Sequence, residues 1–258
     1  MNWYLNCNKF SIIQFNNSQN KITASDFRST DSIQKRLREE FKKIPDAEYL
    51  GGRRGGISDQ IQRNSRVLPS YSVGQALAAF HQEPIVAYNK KTEIWNSDKV
   101  YSKLFNENTN APHIVFAFAL LKAIEDKKIQ LNKIKVEEPN KFTKSVEKQV
   151  AYFRNRGATF LLVSAVSNCL ETILEKAIPN PFRLSFGFGV SPVKAKDHWT
   201  RILDLIIPLV PHLENAFTSG IKNSEKVLVA IENFKMLFEA TIQSNKRQYS
   251  DFARKIKE

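Results

Sequence analysis

Residues 157–178, GATFLLVSAVSNCLETILEKAI, decide the fold, because apolar side chains run nearly all the way round a helix of this sequence instead of lining one face. A helix of that kind is surrounded by other elements, so the chain must supply helices to pack on it. PNPFRLSFGFGVSP (179–192) stops the pattern. Downstream, WTRILDLIIPLVPHLENAF (199–217) carries Pro208 and Pro211 inside a helical periodicity, which predicts a kink or two shorter helices. Ser224 to about Asn245 reads as a capped amphipathic helix, and RQYSDFARKIKE (247–258) as a fraying basic tail.

Upstream, Asn110 with Pro112 in the first turn opens a strong helix through Ile114, Phe118, Leu121 and Ile124. Ser97 caps a short helix carrying Val100, Tyr101 and Leu104. Ser72 caps another through Val73, Leu77 and Phe80, with a break at Pro84. Asp31 starts an amphipathic helix with Ile33, Leu37, Phe41 and Ile44 on one face, and Gln34, three residues on, has the place of a capping-box partner. The clear β signal is FSIIQF (10–15), β-branched and aromatic. The fold class is therefore mainly α, a helical domain with a small β element near the N-terminus, α+β at most. The charged stretch 125–144, EDKKIQLNKIKVEEPNKFTK, divides a mixed part (1–125) from an all-helical bundle (145–258), although one domain would also accommodate the pattern. Solenoid-type repeats are absent.

Composition narrows the partners. The 39 Lys and Arg against 26 Asp and Glu give a net charge of +13 and favour acidic partners such as DNA or RNA. The chain has two cysteines, Cys7 and Cys169, neither in a CxxC pattern, which fits a reducing, cytoplasmic setting and offers no structural zinc site. The N-terminus lacks a basic-then-apolar leader, and the apolar run IVFAFALL (114–121) is too short to span a bilayer, so no membrane partner is expected. His81, His113, His198 and His212 are scattered without HxxxH spacing, and no nuclease-like carboxylate pattern occurs, so neither a metal, a cofactor nor a catalytic group is assigned.

GFGVSPVK (187–194) lacks the GxxxxGK[ST] spacing of a phosphate loop and reads as a turn. GGRRGG (51–56) is a better phosphate contact, since glycines permit close backbone approach and two guanidinium groups offer bidentate donors; a solvated hairpin tip is the alternative. Together with the preceding helix it gathers Lys35, Arg36, Arg38, Lys42, Lys43, Arg53 and Arg54 into one local unit, a candidate nucleic-acid footprint.

The stretch QFNNSQN (14–20) places five amide side chains in seven positions, and amides donate and accept without holding a proton. Asn17, Gln19 and Asn20, then Asp26, Ser29 and Asp31, then Gln34, and finally Tyr49, Arg53, Arg54 and Gly55 form a series that resembles the abortive infection phage resistance (AIPR) family of bacterial antiphage defence. The likeness continues through LPSYSVGQALAAFHQEPIVAYNKKTEIWNSDKVYSKLF (68–105) and covers about the first 110 residues. Family members carry upstream Asn-Asn-Gly-Ile-Thr-like and Ile-Val-Asn-Gly-Cys-Gln-Thr-like motifs that this chain lacks. The resemblance thus implies a C-terminal part of such a protein, whose partner is the missing N-terminal half or a separate subunit.

Two readings of the amide cluster follow. It is either a buried polar staple fixing the first strand to the first helix, or the lining of a groove that meets a nucleotide or the missing half. For the chain as a whole, the leading expectation is a helical module of antiphage defence that binds nucleic acid or a partner without catalysis of its own. The alternatives are a nuclease whose site, including Asp26, Glu39 and Glu48, converges only in three dimensions, and a purely structural half with an apolar patch near residues 1–15.

Overall fold

The computed structural model describes residues 28–51 and 66–258. The protein is mainly α with one small β element. Helix α1 (Ser32–Phe41) starts where the Asp31 carboxylate accepts from Ile33 N at 2.7 Å. It is followed by β1 (Glu48–Tyr49), which pairs in parallel with β2 (Val67–Leu68), Glu48 opposite Val67. The strand expected over 10–15 lies outside the described residues. Four helices come next: α2 (Ser70–Phe80), α3 (Pro84–Asn89), α4 (Glu93–Asn96) and α5 (Asp98–Leu104). Pro69, not Ser72, precedes the first turn of α2. Pro84, expected as a break, instead opens α3 at its N1 position, where its fixed φ and missing N–H cost nothing.

The long α6 (Ala111–Glu137) begins at Asn110, whose side chain accepts from His113 N at 2.9 Å. Its first half is the most enclosed part of the molecule: Ile114 to Leu121, Ala123 and Ile124 are all buried, on every side of the helix. It lies against α2, against α8 (Ala158–Asn168) and, most extensively, against α10 (Pro192–Ile206). From Glu125 the helix emerges into solvent, leaving Ile129 and Val136 exposed. The charged stretch expected as a linker is thus helical as far as Glu137, followed by α7 (Lys144–Arg154).

Residues 157–178 are two helices, α8 and α9 (Leu170–Leu174), parted at Cys169. The physical reason is local. Ser167 Oγ donates to the carbonyls of Phe80 and Ser164, and Cys169 N bonds Val166 O three residues back, so the last turn tightens and the ladder ends. At the other end Gly157 sits at φ +87°, where a Cβ would stand 2.5 Å from Ile221 Cγ1, so glycine alone fits.

The two prolines act as expected: α10 ends at Ile206 and a 3₁₀ run, Ile207–Ala216, carries the chain to α11 (Ser224–Ile242). The expected fraying tail is a correction. It forms α12 (Lys246–Ala253) with Tyr249 and Phe252 buried, and beyond it Lys257 exchanges backbone hydrogen bonds with Ser185 at 3.0 and 2.7 Å. Aromatic contacts hold that end down: Phe252 meets both Phe186 and Trp199.

Trp199 is fully buried, packs on Phe116 and donates from Nε1 to Phe116 O at 2.9 Å, which ties α10 to the enclosed half of α6. Trp199→Ala is expected to lower unfolding free energy by about 3–5 kcal/mol in urea titrations followed by circular dichroism. A loss under about 1 kcal/mol would mean that this contact does not anchor the core.

Candidate functional site

The segment that carries the expected site residues is organised by one amide. Gln34 points from α1 into the interior and is completely buried; it does not close a capping box. Its Nε2 donates to Tyr101 Oη at 3.0 Å, and its Oε1 accepts from Tyr49 Oη at 2.7 Å, so a single side chain joins α1, β1 and α5. Burial raises the pKa of both phenols, Tyr101 to about 12, and keeps them as neutral hydroxyls.

The neighbouring arginines are engaged by the chain itself. Arg36 donates to the carbonyls of Asn106, Glu107 and Thr109, gathering the loop before α6. Arg38 donates to Ser29 O and Gly51 O, and Arg28 to Trp95 O while its guanidinium lies 4.4 Å from the centre of the Tyr101 ring. Glu40 in turn accepts from Ala111 N at 2.8 Å. Of the expected cationic footprint, Lys35, Lys42 and Lys43 stand in solvent, Lys42 paired with Glu39 at 2.7 Å. Asn17, Gln19, Asn20, Asp26, Arg53 and Arg54 lie outside the described residues.

Two histidines that sequence spacing kept apart are brought together. His113, buried in the first turn of α6, contacts Leu184 O through Nδ1 at 2.9 Å, and its Nε2 lies 3.0 Å from His81 Nε2 at the end of α2. If Nδ1–H of His113 donates to the carbonyl, its Nε2 accepts from His81 Nε2–H, and both rings are neutral. Burial pushes His113 down to about 4, against the opposing bond to Leu184, and pushes His81 down as well, with His113 and Lys103 adding to the effect. The His81 ring stacks on Phe182 with centroids 3.8 Å apart. No group of three or more His, Cys, Asp or Glu able to hold a metal occurs among the described residues.

Beside this pair a cleft of about 260 Å3 opens on the surface, lined by Asn110, Arg183, Ser185, Phe188, Lys257 and Glu258, among others. The chain around Ser185 is fixed, since Leu184 and Phe186 are buried and Ser185 bridges to Lys257. Phe186 carries this region over to His198, whose ring centroid is 5.0 Å away. Burial lowers the His198 pKa, and Lys255, Arg201 and Lys194 lower it further while Asp197 opposes them. The residues come from three separated parts of the chain. The sequence signal was the Gly-Phe-Gly of 187–189, read as a plain turn; the approach of Lys255 and Lys257 had no sequence signal, because that tail was expected to fray.

These features describe a basic, mainly α protein assembled round one enclosed helix, with its ionisable surface weighted to cations. The chain belongs to the AIPR family: the family model described as AIPR protein matches residues 7–206. The match extends well beyond the first 110 residues in which the likeness was legible, taking in α6 and all of α10. Membership associates the chain with abortive infection, the defence against phage. No curated protein and no solved structure matches the chain. Among the described residues, no single helix is long and apolar enough to cross a membrane.

Gln34→Leu is expected to cost about 1–3 kcal/mol, because two buried hydroxyls lose their partner. Adding Tyr49→Phe should restore part of that loss in chemical denaturation; an additive double variant would show that the amide is not the link. The buried histidines predict a pH effect of definite sign. Their folded pKa values lie below the unfolded value of about 6.5, so between about pH 6.5 and 4 the unfolded chain binds more protons and stability falls with pH. His113→Gln should flatten that fall, by about 1.4 kcal/mol per pH unit at its steepest, leaving the part due to His81.

Proposed function

We propose that this chain is the nucleic-acid-binding helical module of an abortive-infection system, without a catalytic site of its own. The observation that carries this reading is the pair of cations on the cleft, Arg183 and Lys257, which line its opening beside a single acidic residue, Glu258. A surplus of cations on one rigid surface recruits phosphates through counterion release, whereas a net charge of +13 spread evenly would chiefly aid solubility. Lys35 of α1 and Lys43, two residues past its end, are exposed and give a second cationic contact surface on the same reading.

A second reading, that the module packs on a partner subunit such as an upstream AIPR half, has its own support. On α11, Leu228, Val229 and Met236 are 55, 54 and 61 % exposed and fall on one helical face. The two readings use different surfaces, so substitutions at Met236 leave nucleic-acid affinity unchanged if the first is right.

The test is binding of labelled duplex DNA, single-stranded DNA and RNA over a salt series. Log affinity should fall linearly with log salt, and Arg183→Ala with Lys257→Ala should reduce the slope by roughly one to two units. A Lys35→Ala, Lys43→Ala variant measured beside it separates the two basic surfaces. Absence of binding at low salt overturns the proposal.

A further inference from the structure

Phe188 has an unusual setting for a large apolar side chain. It is 70 % exposed, between Gly187 at φ +102° and Gly189 at φ +80°. Both glycines hold left-handed backbone that other residues rarely adopt, and a Cβ on Gly189 would meet nothing within 4 Å. The glycines therefore serve the path of the chain and not close packing. That path is anchored from below: Ser185 Oγ accepts from Gly187 N at 3.1 Å, Ser185 is bridged to Lys257, and Phe186 is packed on Phe116 and Trp199. A firmly held base thus presents one ring to solvent.

The surroundings of the ring identify what would cover it. Apolar Pro112 lines the cleft with it and Val193 is exposed further along the same segment, but the ring also shares its cleft with the cations Arg183 and Lys257. The acidic residue lining the cleft is Glu258, which pairs with Lys176 at 3.3 Å. A ligand with flat apolar faces and a regularly charged anionic backbone complements such a site, and single-stranded nucleic acid has both. In a duplex the base faces are stacked on each other and unavailable to a side chain at the surface. We infer that Phe188 is a stacking platform for an unpaired base of single-stranded nucleic acid whose flanking phosphates are held by Arg183 and Lys257. This inference rests on the nucleic-acid reading proposed above and assigns it a strand state and a contact.

The experiment uses the full chain and its Phe188→Ala and Phe188→Trp variants. The probes are oligodeoxythymidylate and oligouridylate of about 12 nucleotides, within the ~4–16 nucleotides of small single-strand sites, an abasic strand of equal length, and a duplex. The wild type should prefer base-bearing strands, and Phe188→Ala should lose roughly 5- to 100-fold in affinity for them while its affinity for the abasic strand is unchanged. The Phe188→Trp variant should keep the affinity and show fluorescence quenching by base-bearing strands, absent with the abasic strand; the wild type supplies the background of Trp3, Trp95 and Trp199. The thymidylate and uridylate arms tell DNA from RNA. If Phe188→Ala binds as the wild type does, or the abasic strand and duplex bind as well as the oligonucleotides, stacking is overturned and the nucleic-acid reading stands. If none of the four probes binds, both fall.

Discussion

The enclosure of the first half of α6 is the constraint from which the rest of the structure follows. A helix buried on every side between Ile114 and Ile124 satisfies its backbone internally along its length, but its first N–H groups must find partners without water. The molecule supplies them from two places: Asn110 caps His113 N, and Glu40 reaches across from α1 to Ala111 N. The His113 ring in the same turn is held by Leu184 O and His81. Each of these contacts fixes a different element to the same point. Arg36, by gathering the carbonyls of 106–109, fixes the loop that delivers the chain to it.

That arrangement bears on the polar groups of the described part of the family-like segment, several of which are engaged by the chain itself. Gln34, Arg36, Arg38 and Arg28 look like a recognition set in sequence, being amide and guanidinium groups within ten residues of one another. In the structure each is occupied by a named acceptor or donor of the same chain. A buried amide between two phenols orients three elements more strictly than an apolar contact would, because hydrogen bonds have direction and a misplaced partner leaves a desolvated group behind. The family-like pattern here encodes a scaffold at Gln34 and Tyr49. Lys35, Lys42 and Lys43 remain exposed on α1 and just past it, and Arg183 and Lys257 line the cleft at the start of α6.

Legibility from sequence divides along the range of the interactions. Local rules located the helices with side-chain caps: Asp31, Ser97 and Asn110 all cap as their position suggested, and Pro208 and Pro211 end α10 as their missing N–H groups require. Periodicity failed where a residue's role depends on distant partners. Gln34 occupies a capping-box position, yet the pull of Tyr49 and Tyr101 outweighs the modest gain of a box. Residues 157–178 look continuous, yet Ser167 bonds to a carbonyl of α2 and the helix ends there. The tail 247–258 is basic and short, features of a fraying end, until Phe252 finds Trp199 and Phe186. In each case burial against a remote element decides, and no window along the chain contains that element.

The cleft shows the same division applied to function. Its walls come from the start of α6, from 183–188 and from the last residues of the chain, so its two cations, Arg183 and Lys257, are far apart in sequence, and only the second lies in a stretch that reads as basic. What local sequence does carry is the Gly-Phe-Gly tip. Two glycines at positive φ on either side of an exposed ring make poor sense as a plain turn, because a turn needs no apolar side chain at its apex and gains nothing from exposing one. An exposed ring on a rigid base is kept at a cost in solvation, and on the reading proposed above Arg183 and Lys257 beside it favour an anionic cover. Two cations and one aromatic group brought to one cleft from separate stretches bear more on the position of a binding surface than the overall charge of +13, since overall charge constrains solubility and association but not position.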